Sequence, residues 1–310
     1  MACKYLIIGD WGTTNLSLYL YKIQKGASLQ LDSRKGCGAK FCNDFEQYFH
    51  ELTANWYEQY GDIAVILSGM VGADIGWKDA GYKKCPVSAA QLANAPIQFL
   101  SRGRNITIIS GAECRNRLGH PDIMRGEEVQ LLGWLTNQTS VQNSQILCLP
   151  GTHTKWALTK QNTIAEFLTI PSGELYNIIS KHGIYVDNSA DGSPDTDMEI
   201  FQDTVAHIYK SPKLNFINTL FSVRSKRVLG QMNNDQARSY LSALIIGFDV
   251  RSAFDIYKNH LSSQTVIPII GAEINTVLYA SALEGFGIKS QTLAGNEMAI
   301  KGLLYLSRQV

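Results

Sequence analysis

The sequence of 310 residues lacks a Walker-type glycine loop, a Cys-x-x-Cys pair and any apolar segment long enough to span a membrane. Without the pattern GxxxxGK[ST], the chain is not a P-loop nucleotide-binding protein. Its six cysteines have no paired spacing, which argues against a zinc ribbon and is typical of reduced thiols in a cytosol. The apolar run near the start is too short for a signal peptide. We therefore expect a cytoplasmic protein with no membrane partner.

The charge composition excludes a second class of partner. The chain carries 28 lysines and arginines against 27 aspartates and glutamates, a formal net charge of +1. Because nucleic-acid binding relies on a basic patch and none stands out, we expect no nucleic-acid partner. Hydrophobic residues make up 45% of the chain and charged residues 18%, as is normal for a folded protein long enough for two domains.

The chain opens with three predicted strands joined by short turns, written YLIIGD, LSLYLYKI and SLQLDSR. The spacing of apolar and aromatic residues then predicts an amphipathic helix over 45–60. Further strands (IAVILSG and NITIISG) and the helix EEVQLLGWL lead to a polar break, TNQTSVQNSQ. After this break ILCLPGTHT repeats the opening, an apolar strand followed by a Gly-Thr turn, and the strands KWALTK and IAEFLTI follow.

The second half continues with helices predicted over 173–182, 197–209 and 235–257, then the strand TVIPIIGA, the helix INTVLYASALEGFG, the strand KSQTLA and a terminal helix. Two halves that each open with three strands and then alternate helix and strand imply two related α/β domains. We place the domains at 1–125 and 126–310. The terminal helix at about 296–310 can pack against the first domain.

The stretch IIGDWGTTN (7–15) ends a strand with Asp10 beside a turn of Gly12, Thr13 and Thr14. Backbone N–H groups converge on phosphates in such turns, because glycine permits the dihedral angles and the close approach. Asp10 is then a candidate ligand for Mg²⁺, which prefers oxygen. An ordinary hairpin uses the same residue types to satisfy its own backbone, so the pattern alone leaves both interpretations open.

A second turn, LPGTHT, offers Gly151, Thr152 and Thr154, and its recurrence favours phosphate binding at both turns. His153 within it is better explained by a hydrogen bond that stabilises the loop than by catalysis. Later in the chain, PIIGAEIN brings Gly271 to a helix N-terminus, a shape suited to packing a flat base against backbone.

Between the two turns, the stretch PDIMRGEEVQLLG (121–133) places Gly126 before a helix whose first turn carries two glutamates. Glu128 is explained by the helix dipole alone. Glu127 follows the glycine where the chain passes between domains, and a carboxylate there can accept a proton from a substrate hydroxyl. Arg125 either binds a substrate carboxylate or phosphate through its planar fork, or is a solvated or structurally paired arginine.

The order of these motifs resembles that of the actin, hexokinase and Hsp70 superfamily of ATP-binding folds. GEEVQLLG (126–133) is similar to the Gly-Asp-headed helix of glycerol and xylulose kinases, whose acid is the catalytic base, with Glu127 in place of the aspartate. The resemblance implies an α/β protein of two RNase H-like domains, each with a mixed five-stranded sheet, and an active-site cleft between them.

A closer resemblance is to the 2-dehydro-3-deoxygalactonokinase family. The blocks that carry it are DWGTTN (10–15), SGMVGADIGW (68–77), CPVSAAQL (85–92), PDIMRGEEVQLLG (121–133), LPGTHTKW (149–156), FLTIPSGELYNIISKHGI (167–184) and, later, IIGAEINTVLY. The region from about 185 to 260 is less distinctive. This resemblance implies ATP- and Mg²⁺-dependent phosphorylation of 2-dehydro-3-deoxy-D-galactonate at its terminal hydroxyl, in galactonate catabolism.

The resemblance also implies roles for individual residues. Asp10 would organise Mg²⁺, and Glu127 would act as the base. The other residues would contact ATP (Gly12, Thr13, Thr14, Gly151, Thr152, Thr154, Lys155, Gly271 and Ala272) or surround the sugar acid (Trp11, Ser68, Gly69, Met70, Arg125, Ser172 and Glu174). Trp11 replaces the smaller residue common in the superfamily. Its side chain either lines the sugar-binding site or fills the core.

Two other functions stay open on the sequence. One is a kinase of the same fold that acts on another sugar, polyol or sugar acid; a carboxylate substrate needs a cationic partner such as Arg125, whereas a neutral sugar does not. The other is a nucleotide-dependent sensor that hydrolyses ATP slowly, although the sequence shows no DNA-binding or linker-tethered segment. The sequence also leaves open whether the chain forms a homodimer.

Overall fold

A computed structural model describes residues 4–24, 27–94, 96–138, 144–187, 196–262 and 264–309. Its strands are β1 (Lys4–Trp11), β2 (Asn15–Gln24), β3 (Ala27–Cys37), β4 (Ile63–Gly69), β5 (Tyr82–Lys84), β6 (Val87–Ser88), β7 (Ile97–Ser101), β8 (Arg104–Ile108), β9 (Gly111–Arg115), β10 (Pro121–Met124), β11 (Gln145–Leu149), β12 (Thr154–Lys160), β13 (Thr163–Ile170), β14 (Val266–Gly271) and β15 (Lys289–Ala294). Its helices are α1 (Phe45–Tyr60), α2 (Ala89–Ala93), α3 (Glu127–Leu135), α4 (Ser172–His182), α5 (Met198–Lys210), α6 (Phe216–Val228), α7 (Asn234–Tyr257), α8 (Glu273–Gly285) and α9 (Gly295–Leu306).

The first sheet has the strand order β3-β2-β1-β4-β8-β7. β1 pairs antiparallel with β2 and parallel with β4, so the carboxyl ends of β1 and β4 lie side by side. The register places Asp10 opposite Ser68 and Trp11 opposite Gly69. Ligands of open α/β sheets bind at the carboxyl ends of parallel strands. The register therefore brings two predicted site segments to one edge of the sheet.

The core beside this sheet follows from the alternation of side chains along a strand. Leu16, Leu18 and Leu20 of β2 are fully buried, as expected for a strand with one face on a core. Helix α1 packs its aromatic face on the same core and begins at Asp44, whose carboxylate accepts a backbone N–H of the first turn. Burial of each large apolar side chain contributes about 1.5–3 kcal/mol, so this core holds the strand ends in place.

The second sheet has the order β15-β14-β11-β12-β13-β6. β14 pairs in parallel with β11 and β15, and the two-residue β6 pairs antiparallel with β13. Helix α7 is buried along much of its 24 residues and packs in a core that includes Trp156, Leu244 and Ile269. The same helix carries a buried carboxylate, Asp249.

A third sheet, β10-β9-β5, leads the chain towards the acid-headed helix. Its strand β10 ends at Met124, two residues before Gly126, and α3 begins at Glu127. This short path fixes where α3 starts. None of the helices in the described ranges is long and apolar enough to cross a membrane.

The chain forms two compact units. The first comprises Met1–Asn143, Thr159–Phe167 and Gly295–Val310, and the second comprises Ser144–Leu158 and Leu168–Ala294. Helix α3 belongs to the first unit because it packs closely on α9: a Cβ added to Gly133 would lie 1.9 Å from the carbonyl oxygen of Met298. The domain boundary after residue 125 stays a prediction, since this unit continues through the connecting helix.

The differences from the sequence-based expectations have physical reasons. The sequence pattern does not predict α6, whose buried residues are Thr219 and Val223 while Ile217 and Phe221 are exposed, so no apolar stripe marks it. The expectation of five strands in each sheet is corrected to six, because β7 forms a hairpin with β8 and β6 pairs with β13. The predicted polar break lies partly outside the described residues, at 139–143.

Candidate active site

Asp10 lies near the carboxyl end of β1, beside the end of β4. Burial, and to a smaller extent the nearby Glu127 carboxylate, raise the pKa of Asp10 to about 6. Repulsion between two carboxylates in a poorly hydrated site is relieved by a bound cation. The structure thus brings the predicted magnesium ligand and the predicted base close enough to influence each other.

Gly126 fixes the position of the turn between β10 and α3. Its φ of 101° is one that other residues rarely adopt. A Cβ added to Gly126 would lie 3.5 Å from Gly69 Cα and 3.9 Å from Asp10 Oδ1. The backbone N–H of Arg125 donates to Glu127 Oε2 at 3.1 Å, which holds the Glu127 carboxylate at the turn. Helix α3 therefore begins at the shared carboxyl edge of β1 and β4.

Arg125 is a buried cation with two unused donors. Its side chain is only 4% exposed, and its Nη2 donates to the carbonyl oxygen of Gly81 at 3.1 Å. Its guanidinium carbon lies 4.3 Å from the centre of the Tyr82 ring, while the Asp79 carboxylate is 4.0 Å away and mostly exposed. Nε and Nη1 are buried and have no protein partner. Because unpaired buried donors are costly, this arrangement suits an acidic ligand better than a structural ion pair.

The predicted sugar-acid residues Ser68, Gly69 and Met70 follow β4 at the same edge. Gly69 has a φ of 91°, and a Cβ there would lie 2.6 Å from the carbonyl oxygen of Trp11, so the turn requires glycine. The Ser68 side chain is fully buried. It therefore supports the turn from within the fold instead of presenting an exposed hydroxyl.

Trp11 fills the core of the first unit. Its side chain has no exposed surface, and its ring packs 5.1 Å from Phe45 and 6.1 Å from Tyr48, measured between ring centres. Its Nε1 donates to the carbonyl oxygen of Cys37 at 3.1 Å. The prediction that Trp11 contacts the sugar acid is therefore corrected in favour of the alternative, because a fully enclosed ring offers a ligand no surface.

The first Gly-Thr turn is held from one side by residues 38–40, which the sequence did not single out. Their backbone N–H groups donate to the carbonyl oxygens of Thr14, Gly12 and Thr13, in that order, at 3.1, 3.0 and 3.0 Å. A Cβ added to Gly38 would lie 2.2 Å from the carbonyl carbon of Thr14. The side chains of Thr13 and Thr14 are exposed, so the turn keeps one side available to a ligand.

Glu128 is a second acid at the start of α3, and it is fully buried. Its Oε2 accepts the backbone N–H of Gly126 at 2.7 Å, and its Oε1 has no hydrogen-bond partner. Burial, and to a smaller extent the Glu127 carboxylate, raise the pKa of Glu128 to about 8. The helix dipole is therefore an incomplete explanation of this residue. At neutral pH it is an uncharged acid that anchors the turn before Glu127.

Replacing Glu128 with glutamine is expected to stabilise the protein increasingly as the pH rises. The unfolded chain releases this proton near pH 4.5 and the folded chain near pH 8, so the wild-type protein loses stability between these values. Glutamine stays uncharged and keeps an acceptor for the Gly126 N–H. Thermal unfolding from pH 5 to 8.5 should show a growing gap in Tm between the two proteins. Glu58→Gln, at an exposed position of α1, controls for the loss of one charge, and a constant gap would contradict the assignment.

The second Gly-Thr turn lies against the start of α4, within the second unit. A Cβ added to Gly173 would lie 2.5 Å from the carbonyl oxygen of Gly151. The backbone N–H of Glu174 donates to the carbonyl oxygen of Thr152 at 2.9 Å, and its carboxylate lies 3.1 Å from His153 Nε2. His153 thus makes the kind of loop-stabilising contact that its position suggests, and the predicted sugar-acid turn at 172–174 packs on this loop.

Three predicted contact residues, Thr154, Lys155 and Ser172, are buried. Their side chains bind, in the same order, the hydroxyl of Tyr279 at 2.8 Å, the hydroxyl of Thr169 at 2.9 Å and the carboxylate of Asp249 at 2.5 Å. These side chains therefore support the loop from behind. The backbone at Gly151 and the exposed Thr152 remain the parts of the turn that can face a ligand.

A pocket of ≈ 230 Å³ opens beside this loop in the second unit. It is lined by the glycines of the loop, by hydroxyl groups and by apolar side chains, including Gly151, Gly173, Tyr176, Ser242, Ile246 and Leu278. The predicted adenosine contacts Gly271 and Ala272 end β14 and precede α8, whereas the lining starts at Ile274 and Asn275. Gly271 and Ala272 stay predicted adenosine contacts, two to three residues before the first residues of α8 that line the pocket.

Asp249 is a buried acid next to this pocket that the sequence reasoning missed. It accepts hydrogen bonds from three side chains, those of Trp156, Ser172 and Tyr279. Burial raises its pKa to about 6, although these hydrogen bonds lower it in part. A lone acid in the apolar stretch ALIIGFDV was the available signal.

The donor set for a metal ion is small. Within the described ranges, no group of three or more His, Cys, Asp or Glu side chains converges on one point. Mg²⁺ in phosphotransferases is usually held by one or two carboxylates together with phosphates and water. Asp10, with its pKa raised beside Glu127, meets that requirement.

Comparisons with known proteins point to one family. Residues 10–306 match a family model described as 2-keto-3-deoxy-galactonokinase. The 2-dehydro-3-deoxygalactonokinase of Escherichia coli (strain K12) is 30% identical over 319 residues, which cover 100% of this chain and 99% of that protein. A relative from Rhizobium meliloti (strain 1021), assigned the same activity, is 30% identical and covers 99% and 97%. A crystal structure from Sinorhizobium meliloti, also assigned this activity, has a TM-score of 0.83 at 30% identity over 98% of each chain.

Proposed function

The chain belongs to the 2-keto-3-deoxy-galactonokinase family, and we propose that it transfers a phosphate group from ATP to the terminal hydroxyl of 2-dehydro-3-deoxy-D-galactonate. The observation that carries this proposal is the family match over residues 10–306. The curated relatives that are named or assigned as kinases of this sugar acid cover nearly all of the chain. The chain is accordingly a carbohydrate kinase, and the residues of the first unit supply the chemistry that such a reaction needs.

Glu127 is the proposed base. Its carboxylate is held at the turn by the Arg125 N–H, and its Oε2 is oriented by that bond. Phosphoryl transfer depends mainly on alignment and on neutralising charge, so the base orients the sugar hydroxyl and takes its proton late in the transfer. Of the two consecutive glutamates at the start of α3, Glu128 is fully buried and Glu127 is only partly buried.

Arg125 is the proposed partner of the substrate carboxylate. Its Nε and Nη1 are buried without a protein partner. A hydrogen bond from a guanidinium to a carboxylate is strengthened by the charge on both groups. This feature favours a sugar acid over the alternative of a neutral sugar or polyol.

Asp10 is the proposed residue for Mg²⁺, held directly or through water. When bound, the ion would supply positive charge that offsets the negative charge on the phosphates during transfer. Asp10 fits this role because its own pKa is raised by burial and by Glu127, so a cation nearby stabilises its ionised form. Gly12, Thr13 and Thr14 beside it are proposed to face the transferred phosphate.

The second unit is proposed to bind the rest of ATP. The backbone at Gly151 and Thr152 would contact phosphates, and the pocket lined by Tyr176, Leu278 and Asn275 would take the nucleoside. Apolar walls with a few hydroxyl groups are typical of such pockets.

Replacing Gly38 with alanine is expected to lower kcat/KM for ATP by about 10- to 100-fold, because a displacement near 1 Å can cost about 100-fold. The added methyl would collide with backbone atoms of Thr13, Thr14 and Asn15 and move the first phosphate turn. Steady-state kinetics at varied ATP measure the effect. Gly61→Ala, at a positive φ with open space around it, controls for a general loss of stability. An unchanged kcat/KM in a folded Gly38→Ala protein would refute the role of Gly38.

The alternative of a nucleotide sensor predicts slow ATP hydrolysis that no sugar acid stimulates. ADP release should therefore be measured with 2-dehydro-3-deoxygalactonate, its gluconate epimer, galactonate and glycerol. We expect strong stimulation by 2-dehydro-3-deoxygalactonate and none by glycerol. Stimulation by glycerol would support the neutral-sugar alternative. Lack of stimulation by both deoxy keto acids would contradict the proposed substrate.

We also propose a cytoplasmic location and a homodimeric assembly. The cysteines in the described ranges, Cys37, Cys42, Cys85, Cys114 and Cys148, are thiols, which suits a reducing compartment. Sedimentation analysis of the purified protein would test the assembly.

A further inference from the structure

The carboxylate of Asp249 lies at the meeting point of several elements of the second unit. It is 3% exposed and is carried by α7, in a stretch of otherwise apolar residues. Its Oδ1 accepts Trp156 Nε1–H of β12 at 2.7 Å, and its Oδ2 accepts the hydroxyls of Ser172 and Tyr279, each at 2.5 Å. A buried ionised group needs such donors, because an unpaired charge would be far more costly.

The bond to Tyr279 extends to the second phosphate turn. The hydroxyl proton of Tyr279 is used in the bond to Asp249, so the hydroxyl of Thr154, 2.8 Å away, donates to the Tyr279 oxygen. Thr154 is the last residue of the turn and the first of β12. The same tyrosine lines the nucleoside pocket. One carboxylate thus fixes a pocket wall and the end of the turn together.

The bond to Ser172 reaches the other side of the same turn. Ser172 is the first residue of α4, and the two residues after it pack on the turn through the close approach of Gly173 to Gly151 and the bond from the Glu174 N–H to Thr152. A shift of Ser172 would move these contacts. Asp249 therefore restrains the turn through α4 as well as through Tyr279.

We propose that Asp249 is a positioning residue for nucleotide binding, which holds the second phosphate turn and the adjoining pocket in one arrangement. It does not itself contact the phosphates, because its oxygens are enclosed by the three donors. The inference rests on the proposed binding of ATP in the second unit. Loss of the Asp249 charge should raise KM for ATP and leave kcat and KM for the sugar acid largely unchanged.

The test compares Asp249→Asn with the wild-type protein in steady-state kinetics and in calorimetric titration with ADP. Asparagine has nearly the same shape, but its amide NH₂ would meet hydroxyl donors. We expect KM for ATP and Kd for ADP to rise by at least about 10-fold, the equivalent of one charged hydrogen bond. Kcat at saturating ATP should change by less than about threefold, since the groups that react are untouched.

Two further variants make the result specific. Val250→Ala, at the next and equally buried position of α7, removes core packing without touching the network, so it should lower Tm but leave KM for ATP unchanged. Ser172→Ala removes a single donor and covers the case in which Asp249→Asn does not fold; it should raise KM for ATP by a smaller factor. Unchanged ADP affinity in Asp249→Asn would overturn the inference. If only Ser172→Ala folds, unchanged ADP affinity in that variant would overturn it. So would an equal rise of KM for ATP in Val250→Ala. Failure of the wild-type protein to bind any nucleotide would instead overturn the proposed function.

Discussion

Replacing Glu127 with glutamine is expected to lower kcat by at least about 100-fold, the low end of the range for a general base. Glutamine keeps the size of the side chain and can still accept the Arg125 N–H, so the turn should be preserved. What it loses is the ability to take the proton of the sugar hydroxyl. Because substrate contacts are retained, KM for ATP and for the sugar acid should change little.

The measurement is steady-state ADP release with both substrates varied, supported by the Tm of each protein. Glu58→Gln makes the same chemical change at an exposed position of α1 and should behave like the wild-type protein. Near wild-type turnover in a folded Glu127→Gln protein would remove the assignment of the base. A rise in KM with an unchanged kcat would show that Glu127 binds substrate and does not take the proton.

Asp10 provides a comparison within the same site. Its carboxylate lies close enough to Glu127 for each to affect the other, and the proposed division of labour gives it the metal and not the proton. Asp10→Asn should therefore weaken the use of Mg-ATP, with an increased Mg²⁺ requirement, and leave sugar-acid binding largely intact. Excess Mg²⁺ should therefore restore part of the activity of Asp10→Asn but none of the activity of Glu127→Gln.

Local patterns predicted much of this fold. The apolar spacing over Phe45–Tyr60 and the stretch Glu127–Leu135 gave helices with the observed bounds, because each carries a clear start signal and a buried face. The segment 68–77, the turn at Gly126 and Asp10 were also expected in one site, and the structure brings their key residues to one sheet edge.

What the sequence could not predict depends on contacts between distant residues. Gly38 matters because it lies against a turn more than twenty residues earlier, and no local pattern distinguishes it from any other loop glycine. Asp249 depends on donors as far away as Trp156, 93 positions earlier. The role of Trp11 was undecided because either outcome suits a strand end; the packing of α1 places the ring inside the core.

Replacing Arg125 with glutamine is expected to lower kcat/KM for the sugar acid by about 100-fold. Hydrogen bonds to charged groups contribute about 1.5–3 kcal/mol, and the upper value corresponds to a factor of this size. Two of the buried nitrogens of Arg125 have no protein partner, so in the proposed role they would donate to the substrate carboxylate. Arg125→Lys keeps the charge but loses the planar fork and should give an intermediate loss.

The effect should be confined to the sugar acid. KM for ATP should be nearly unchanged, because the proposed nucleoside pocket lies among residues of the second unit. Thermal unfolding separates binding from folding: the sugar acid alone should raise the Tm of the wild-type protein and fail to raise that of Arg125→Gln. The unliganded variant should not be much less stable, since removal of two unpaired buried donors offsets the lost contact with Tyr82. A parallel rise in both KM values would show that Arg125 has a structural role, and an unchanged response to the sugar acid would place its carboxylate elsewhere.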